Sequence, residues 1–389
     1  MKEVNTTLDK VRFSNIVTIR NKLMQHPGSI RLETGEPDFP THPLIKEAST
    51  KALNEDKTSY APSSGIPQLR EAIFRKCTLE NRISLNSPED VIVTNGGVGA
   101  ISYSLKAIIN PYTRDEVIIP DPNWSMTEAI ILFNNGIPVH VPLDINNGFR
   151  LDPEKVEEKI SARTKAIVIN SPHNPTGAVM SREDLEKIIR ISEEHGLYLL
   201  SDEAYEHIIY EGEHIILGSL SGYEGIISLF TFSKTYSIPG LRMGYAVTKN
   251  KKIMENLRKT VLDTCNGVSL PTQYGVLAAL ANPDDINPWI EDMVCQYRKR
   301  RDILMQGINA SNHFECASPC GTFYLFPKIK NFKGSDEDMT NILLNNNPPV
   351  GSVPGSSFGQ VGKDYIRFAY STSTKSVERA AEIIAELKL

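Results

Sequence analysis

Six short apolar runs, at residues 91–94, 117–120, 166–170, 197–201, 226–232 and 243–247, pace the middle of this 389-residue chain. Runs this short and this apolar suit strands buried on both faces, which few architectures provide. Between several of them the hydrophobic period becomes helical. Ile101, Leu105, Ile108 and Ile109 share one face, and so do Leu185, Ile188, Ile189 and Ser192. Ser181 and Asp184 form a capping-box pattern where the second of these helices begins. Strands and helices alternating in this way predict an α/β sheet covered on both faces.

The chain is too long for one core of ordinary size, so two domains are expected. Residues 273–280 read as helix, and Asn282-Pro283-Asp284-Asp285 interrupts it. After Pro288 the pattern resumes as helix, followed by short strands near 323–326 and 366–370. A last helix is expected from about Val377, with Ile384 and Leu387 inward. The boundary therefore falls near residues 285–290. With 40% hydrophobic and 23% charged residues and a net charge of −5, nothing attracts nucleic acid or an anionic membrane. A small anionic substrate would have to be held by local cations. Residues 1–13 are polar and lack the apolar core of a secretory signal, and no apolar stretch reaches membrane-spanning length. The five cysteines are odd in number, and Cys316 and Cys320 have no second Cys/His pair at ligand spacing. They are expected to be reduced thiols of a cytoplasmic protein with no metal site.

Chemically unusual residues follow the apolar runs, and ligands of open α/β sheets bind at the carboxyl ends of strands. Lys234 comes directly after the run 226–232. Alone it reads as a solvated loop lysine, but Arg242 stands eight residues on, within Pro239-Gly240-Leu241-Arg242-Met243-Gly244. A partly desolvated lysine is a better nucleophile, and an arginine fork beside glycines suits a phosphate. Asp202 ends the run 197–201 and could pair with a cationic ring nitrogen or merely cap a helix. Tyr205 and Asn174 could each bond an oxygen of such a ring. Trp124, in Asp121-Pro122-Asn123-Trp124, could stack on it or pack in a core. Gly96-Gly97-Val98-Gly99 opens a helix, a natural phosphate site. Gly97-Val98-Gly99 with Asp121 downstream also mimics a dinucleotide fingerprint, which fails at Ser102 in the third glycine position. Arg367 lies inside the apolar run 366–370 and needs an anionic partner.

In this order and spacing the chain resembles the fold-type I pyridoxal-phosphate enzymes, specifically the class I and II aminotransferases of the aspartate and aromatic group. The likeness begins at Gly35-Glu36-Pro37-Asp38 and at Tyr60-Ala61-Pro62. It continues through Asn174-Pro175-Thr176-Gly177, Ser201-Asp202-Glu203-Ala204-Tyr205 and Ser233-Lys234. It closes with Gly321-Thr322-Phe323-Tyr324, Pro354-Gly355-Ser356-Ser357 and the Arg367 run. The resemblance implies a large cofactor domain (45–288) with a mostly parallel sheet between helices. A smaller α+β domain would combine residues 1–44 and 289–389. It further implies pyridoxal 5′-phosphate bound as a Schiff base to Lys234, with Asp202 on the pyridine nitrogen and Tyr205 and Asn174 on the phenolic oxygen. Thr231, Ser233, Arg242 and the amides of Gly97 and Val98 would hold the phosphate, and Trp124 would stack on the ring. Arg367 and Asn174 would clamp the substrate α-carboxylate beside the Gly35 backbone. Tyr60 would reach the other subunit's cofactor in a homodimer.

Three residues depart from the group's usual pattern: Thr231 replaces a serine, Ile16 a threonine, and Val98 the lysine that acidic-substrate members often carry. The expected activity is ping-pong transfer of an amino group from an L-amino acid to a 2-oxo acid such as 2-oxoglutarate. The missing lysine points to neutral or aromatic donors over aspartate. A lyase or synthase of the same fold is the alternative reading, and an effector-sensing regulator would need a DNA-binding extension that is not seen here.

Overall fold

The computed structural model describes residues 15–388 together with Thr6, Asp9 and Val11. Most of the polar segment 1–13 thus lies outside the described residues. Seven strands form the main sheet: β1 (Val91–Thr94), β2 (Glu116–Asp121), β3 (Ile137–Pro142), β4 (Thr164–Asn170), β5 (Tyr198–Asp202), β6 (Ile226–Thr231) and β7 (Gly244–Val247). Their order is β1-β7-β6-β5-β4-β2-β3. Neighbours from β3 to β6 pair in parallel, and β7 runs antiparallel between β6 and β1. The six expected strands appear, each within two residues of its predicted ends.

Side chains alternate between two covered faces, as the pleat requires. Val117, Ile119, Ala166, Val168 and Leu200 pack under the helices Gly96–Ile108, Ser125–Phe133 and Lys251–Thr264. Ile118, Ile167, Ile169 and Leu199 face the helix Arg182–His195. That helix starts at Ser181, whose hydroxyl accepts the Asp184 amide at 3.1 Å. The seventh strand, β3, escapes prediction because it is an edge. It carries Pro138 and Pro142, is only half buried, and never shows the continuous apolar signature.

The helix Pro283–Ala310 runs straight through the expected boundary, with Pro288 inside it. The break after residue 281 is a single residue, Asn282, and Pro283 takes the first helical position, where a missing N–H is harmless. Along this helix Ile286 and Ile290 belong to a core with β1, β7 and the helices Pro67–Leu79 and Leu270–Ala281. From Met293 onward its side chains enter a separate core with Ile30, Leu32 and the C-terminal helix Thr374–Ala385. That second core also covers β9 (Tyr324–Leu325) and β12 (Ile366–Ala369), which pair antiparallel in the sheet β11-β12-β9 with β11 (Val353–Pro354). The strands β8 (Phe314–Glu315) and β10 (Lys328–Ile329) form a two-stranded ladder nearby. All five cysteines are free, and no described helix is long and apolar enough to cross a membrane.

Candidate active site

Parallel strands put their carboxyl ends on one edge of the sheet, and a cavity of about 230 Å³ opens there. All the predicted site residues except Tyr60 line it. Tyr60 is 87% exposed on this chain.

Lys234 sits in the helical turn Phe232–Thr235 after β6, and its Nζ donates to the Gly35 carbonyl at 2.7 Å. Burial lowers its pKa to about 8; Glu36 opposes this, while the cations Arg367 and Arg242 reinforce it. Such an amine is neutral in a sizeable fraction of molecules near neutral pH. Asp202 is the last residue of β5, and one of its carboxylate oxygens accepts the Ala204 amide at 3.2 Å. Burial pushes this carboxyl up to about 7, the Ala204 amide pulling the other way.

The antiparallel β7 explains how Arg242 arrives. Gly244 pairs with both Thr231 and Thr94, so the turn before it lies beside the start of the helix Gly96–Ile108. Arg242 itself has φ +55°, and its Nη1 donates to the Pro239 carbonyl at 2.9 Å. Asn95 gives that helix no side-chain cap, leaving its first amides, including Gly97 and Val98, to be met by something else. Thr231 Oγ1 accepts the Ser233 amide at 3.2 Å and lies 2.9 Å from the Ser233 hydroxyl. Two hydroxyls, uncapped amides and a guanidinium thus converge.

On the opposite wall, Arg367 is 2% exposed in β12. Its Nη2 donates to the Glu33 carbonyl at 2.8 Å and its Nη1 to Asn174 Oδ1 at 3.2 Å. Its Nε has no partner among the described residues. The guanidinium lies between the rings of Tyr324 and Phe358, at 4.3 and 4.8 Å from their centroids. Among the described residues this buried cation hydrogen-bonds only neutral oxygens, with the Glu33 carboxylate acting on it without a hydrogen bond, so it can take an anion directly. Trp124 precedes the helix Ser125–Phe133 and stays half buried at the cavity wall.

Two polar side chains of the cavity, Asn170 and Tyr324, were given no role by the sequence reading. Asn170 ends β4 and ties two loops: its amide donates to the Asp202 carbonyl at 3.1 Å and its Oδ1 accepts the Asn174 amide at 2.8 Å. A polar residue closing an apolar run was the available cue. Tyr324 stood within the motif Gly321-Thr322-Phe323-Tyr324, but an aromatic residue in a strand is ordinary and nothing local assigned it a role. Asp121, the acid of the dinucleotide mimic, turns away to accept the Gln360 and Val361 amides at 3.1 and 3.2 Å.

The family model for aminotransferase class I and II matches residues 27–384. An aspartate/prephenate aminotransferase of Thermus thermophilus is 37% identical over 92% of this chain and 90% of its own length. An aromatic-amino-acid aminotransferase of Thermococcus litoralis is 34% identical over 93% of each chain. A solved structure of aspartate aminotransferase from Thermus thermophilus with maleate superposes with a TM-score of 0.93, at 34% identity over 99% of both chains.

Proposed function

The chain belongs to the class I and II aminotransferases, and from that premise we propose that its strand-end cavity holds pyridoxal 5′-phosphate, with Lys234 as the amine that bonds the cofactor and carries the proton. The observation behind this reading is Lys234 itself: an amine brought to about 8 by burial, bonded to one backbone carbonyl, in one cavity with Asp202 and Arg367.

The residues present fit that group. A phosphate suits the Gly97 and Val98 amides, the Thr231 and Ser233 hydroxyls and the Arg242 fork. Position 96 favours glycine, since φ is +73° there and a Cβ would push on Arg242 Nη2 from 2.6 Å. Asp202, raised by burial, gains a counter-charge from a protonated ring nitrogen. When bound, the cofactor supplies an electron sink for the charge that develops at the substrate Cα.

The chain's own residues then divide the work. Arg367 pairs with the substrate α-carboxylate, helped by Asn174 and the Gly35 backbone, and so fixes the direction of the Cα–H bond. Lys234 Nζ, in its neutral form, removes that proton and holds it as an ammonium. Asp202 would stabilise the cationic ring electrostatically, Tyr205 and Asn174 would donate to its phenolic oxygen, and Trp124 would stack on it. Exposed Tyr60 would serve the cofactor phosphate of a second copy, which makes a homodimer the working unit. The division into 1–44, 45–288 and 289–389 fits the change of core between Ile290 and Met293.

The relatives above are named as aminotransferases, which does not favour the lyase or synthase alternative. Ile16, Val98 and Ile101 line the cavity where a distal carboxylate would want a cation. This supports neutral or aromatic donors. With 2-oxoglutarate as acceptor, such donors are expected to match or exceed aspartate in kcat/KM; an aspartate lead of about 100-fold would overturn the preference. Donor alone should yield a 2-oxo acid in an amount matching the bound cofactor, without ammonia. Release of ammonia would identify elimination instead.

A further inference from the structure

Tyr324 touches three parts of the site at once. It is 2% exposed in β9, and its ring carries the Arg367 guanidinium at 4.3 Å. Its hydroxyl lies 2.8 Å from the Tyr205 hydroxyl. It also closes on the Gly35 backbone, where an added Cβ would come within 1.9 Å of the phenolic oxygen. The Gly35 carbonyl is the acceptor of Lys234.

Each phenol has a single proton, so only one of the pair can donate to the other. No other hydrogen bond of the Tyr324 hydroxyl is found among the described residues. If Tyr205 donated, the Tyr324 proton would be left pressed against the Gly35 backbone without an acceptor, which is costly in a buried place. If Tyr324 donates, the Tyr205 proton is free for the cavity. The charge over the Tyr324 ring favours the second arrangement. Burial raises both phenols; at Tyr324 the Arg367 cation, seated over the ring at 4.3 Å, opposes that rise, and a more acidic hydroxyl is the better donor.

We infer that Tyr324 is a positioning residue that donates to Tyr205, turning the Tyr205 proton toward the bound ring, while its own ring holds the plane of Arg367. This rests on the cofactor reading above. Lys234, Asp202, Arg367, Glu36 and Arg242 are the charged groups around the same cavity, and the test leaves all of them unchanged.

Tyr324→Phe keeps the ring and removes the donor; Tyr324→Leu removes both. With pyridoxal 5′-phosphate loaded, the pH midpoint of the cofactor's absorbance should rise in Tyr324→Phe by about half a unit, the scale of one lost hydrogen bond. KM for donor and acceptor should change less than about twofold in this variant. In Tyr324→Leu both KM values should rise roughly tenfold, as the cation–π support of Arg367 disappears. Tyr205→Phe should also raise the midpoint, and adding Tyr324→Phe to it should have no further effect. A midpoint unchanged in Tyr324→Phe, or additive shifts in the double variant, would overturn the inference. A wild-type protein that shows no absorbance change with the cofactor would instead overturn the reading beneath it.

Discussion

Lys234→Ala is expected to leave a folded protein whose kcat/KM for transamination is lower by about 10⁴-fold, the upper range for loss of a positioned proton-transfer group. The amine makes one hydrogen bond, to the Gly35 carbonyl, so its removal deletes little structure. It deletes the only group in the proposed mechanism that takes the Cα proton. Lys234→Arg should be nearly as damaging, because a guanidinium stays protonated and cannot act as a base. Thermal unfolding should be little altered in both, and borohydride reduction should fix the cofactor to wild type alone, as read by mass. A variant with more than about a tenth of wild-type activity would remove Lys234 from the mechanism. The shift in pKa adds a pH signature. An amine titrating at about 8 is neutral in about one molecule in ten at pH 7 and in nearly all above pH 9. Capture of pyridoxal 5′-phosphate by the cofactor-free protein should therefore speed up about tenfold between these values and then level off. An amine at the ordinary 10.5 would keep accelerating through pH 9.

Arg367 stood out in the sequence as a charge inside an apolar run, whereas Lys234 and Asp202, each open to an ordinary reading alone, became candidates through the spacing of Lys234 to Arg242 and the cluster of polar residues at successive run ends. The central strands were legible because burial on both faces erases their polar positions. Where the physics is less extreme the signal fades. The edge strand β3 keeps one side in solvent and reads as a loop, and Pro288 early in its helix reads as a break. Tyr324 and Asn170 use residue types that strands and turns employ everywhere, so their place in the site shows only in their contacts, Tyr324 with Tyr205 and Arg367 and Asn170 with the loops of Asp202 and Asn174. Tyr60 shows a different limit. Its proposed role lies on another copy of the chain, and within one chain it is simply an exposed ring.

Lys76→Met should lower stability by about 3–5 kcal/mol in equilibrium urea unfolding, the usual effect of leaving a buried charge without its partner. No sequence pattern announces this site, because Lys76 lies in the helix Pro67–Leu79 and its partner is 130 residues away. Its Nζ donates to both oxygens of Glu206, at 2.9 and 2.8 Å, and to Asn81 Oδ1 at 2.9 Å, while Asn81 Nδ2 donates to Glu206 at 2.7 Å. Both charged side chains are under a tenth exposed. Burial alone would pull the Lys76 amine down, and Glu206 overrides it so that the net shift is upward. Burial likewise pushes Glu206 up, and Lys76 reverses that to a net downward shift. A raised amine contributes fully below its unfolded value of 10.5, and a depressed carboxylate fully above 4.5. The pair's contribution is thus constant across neutral pH, whereas the loss in Lys76→Met should shrink as the pH falls, because without Lys76 burial raises the Glu206 carboxyl and protonation relieves the stranded charge. Replacing both residues by apolar ones of similar size should recover most of the stability, since the stranded carboxylate, and not the missing attraction, dominates the single variant. Glu206 directly follows Tyr205, so the stranded charge also sits one peptide from a residue that faces the cavity. Lys76→Met should therefore weaken cofactor retention along with the fold, and the double replacement should restore the fold more fully than retention. A loss under about 1 kcal/mol in the single variant would mean that water reaches Glu206 and that the pair is not the anchor of this turn.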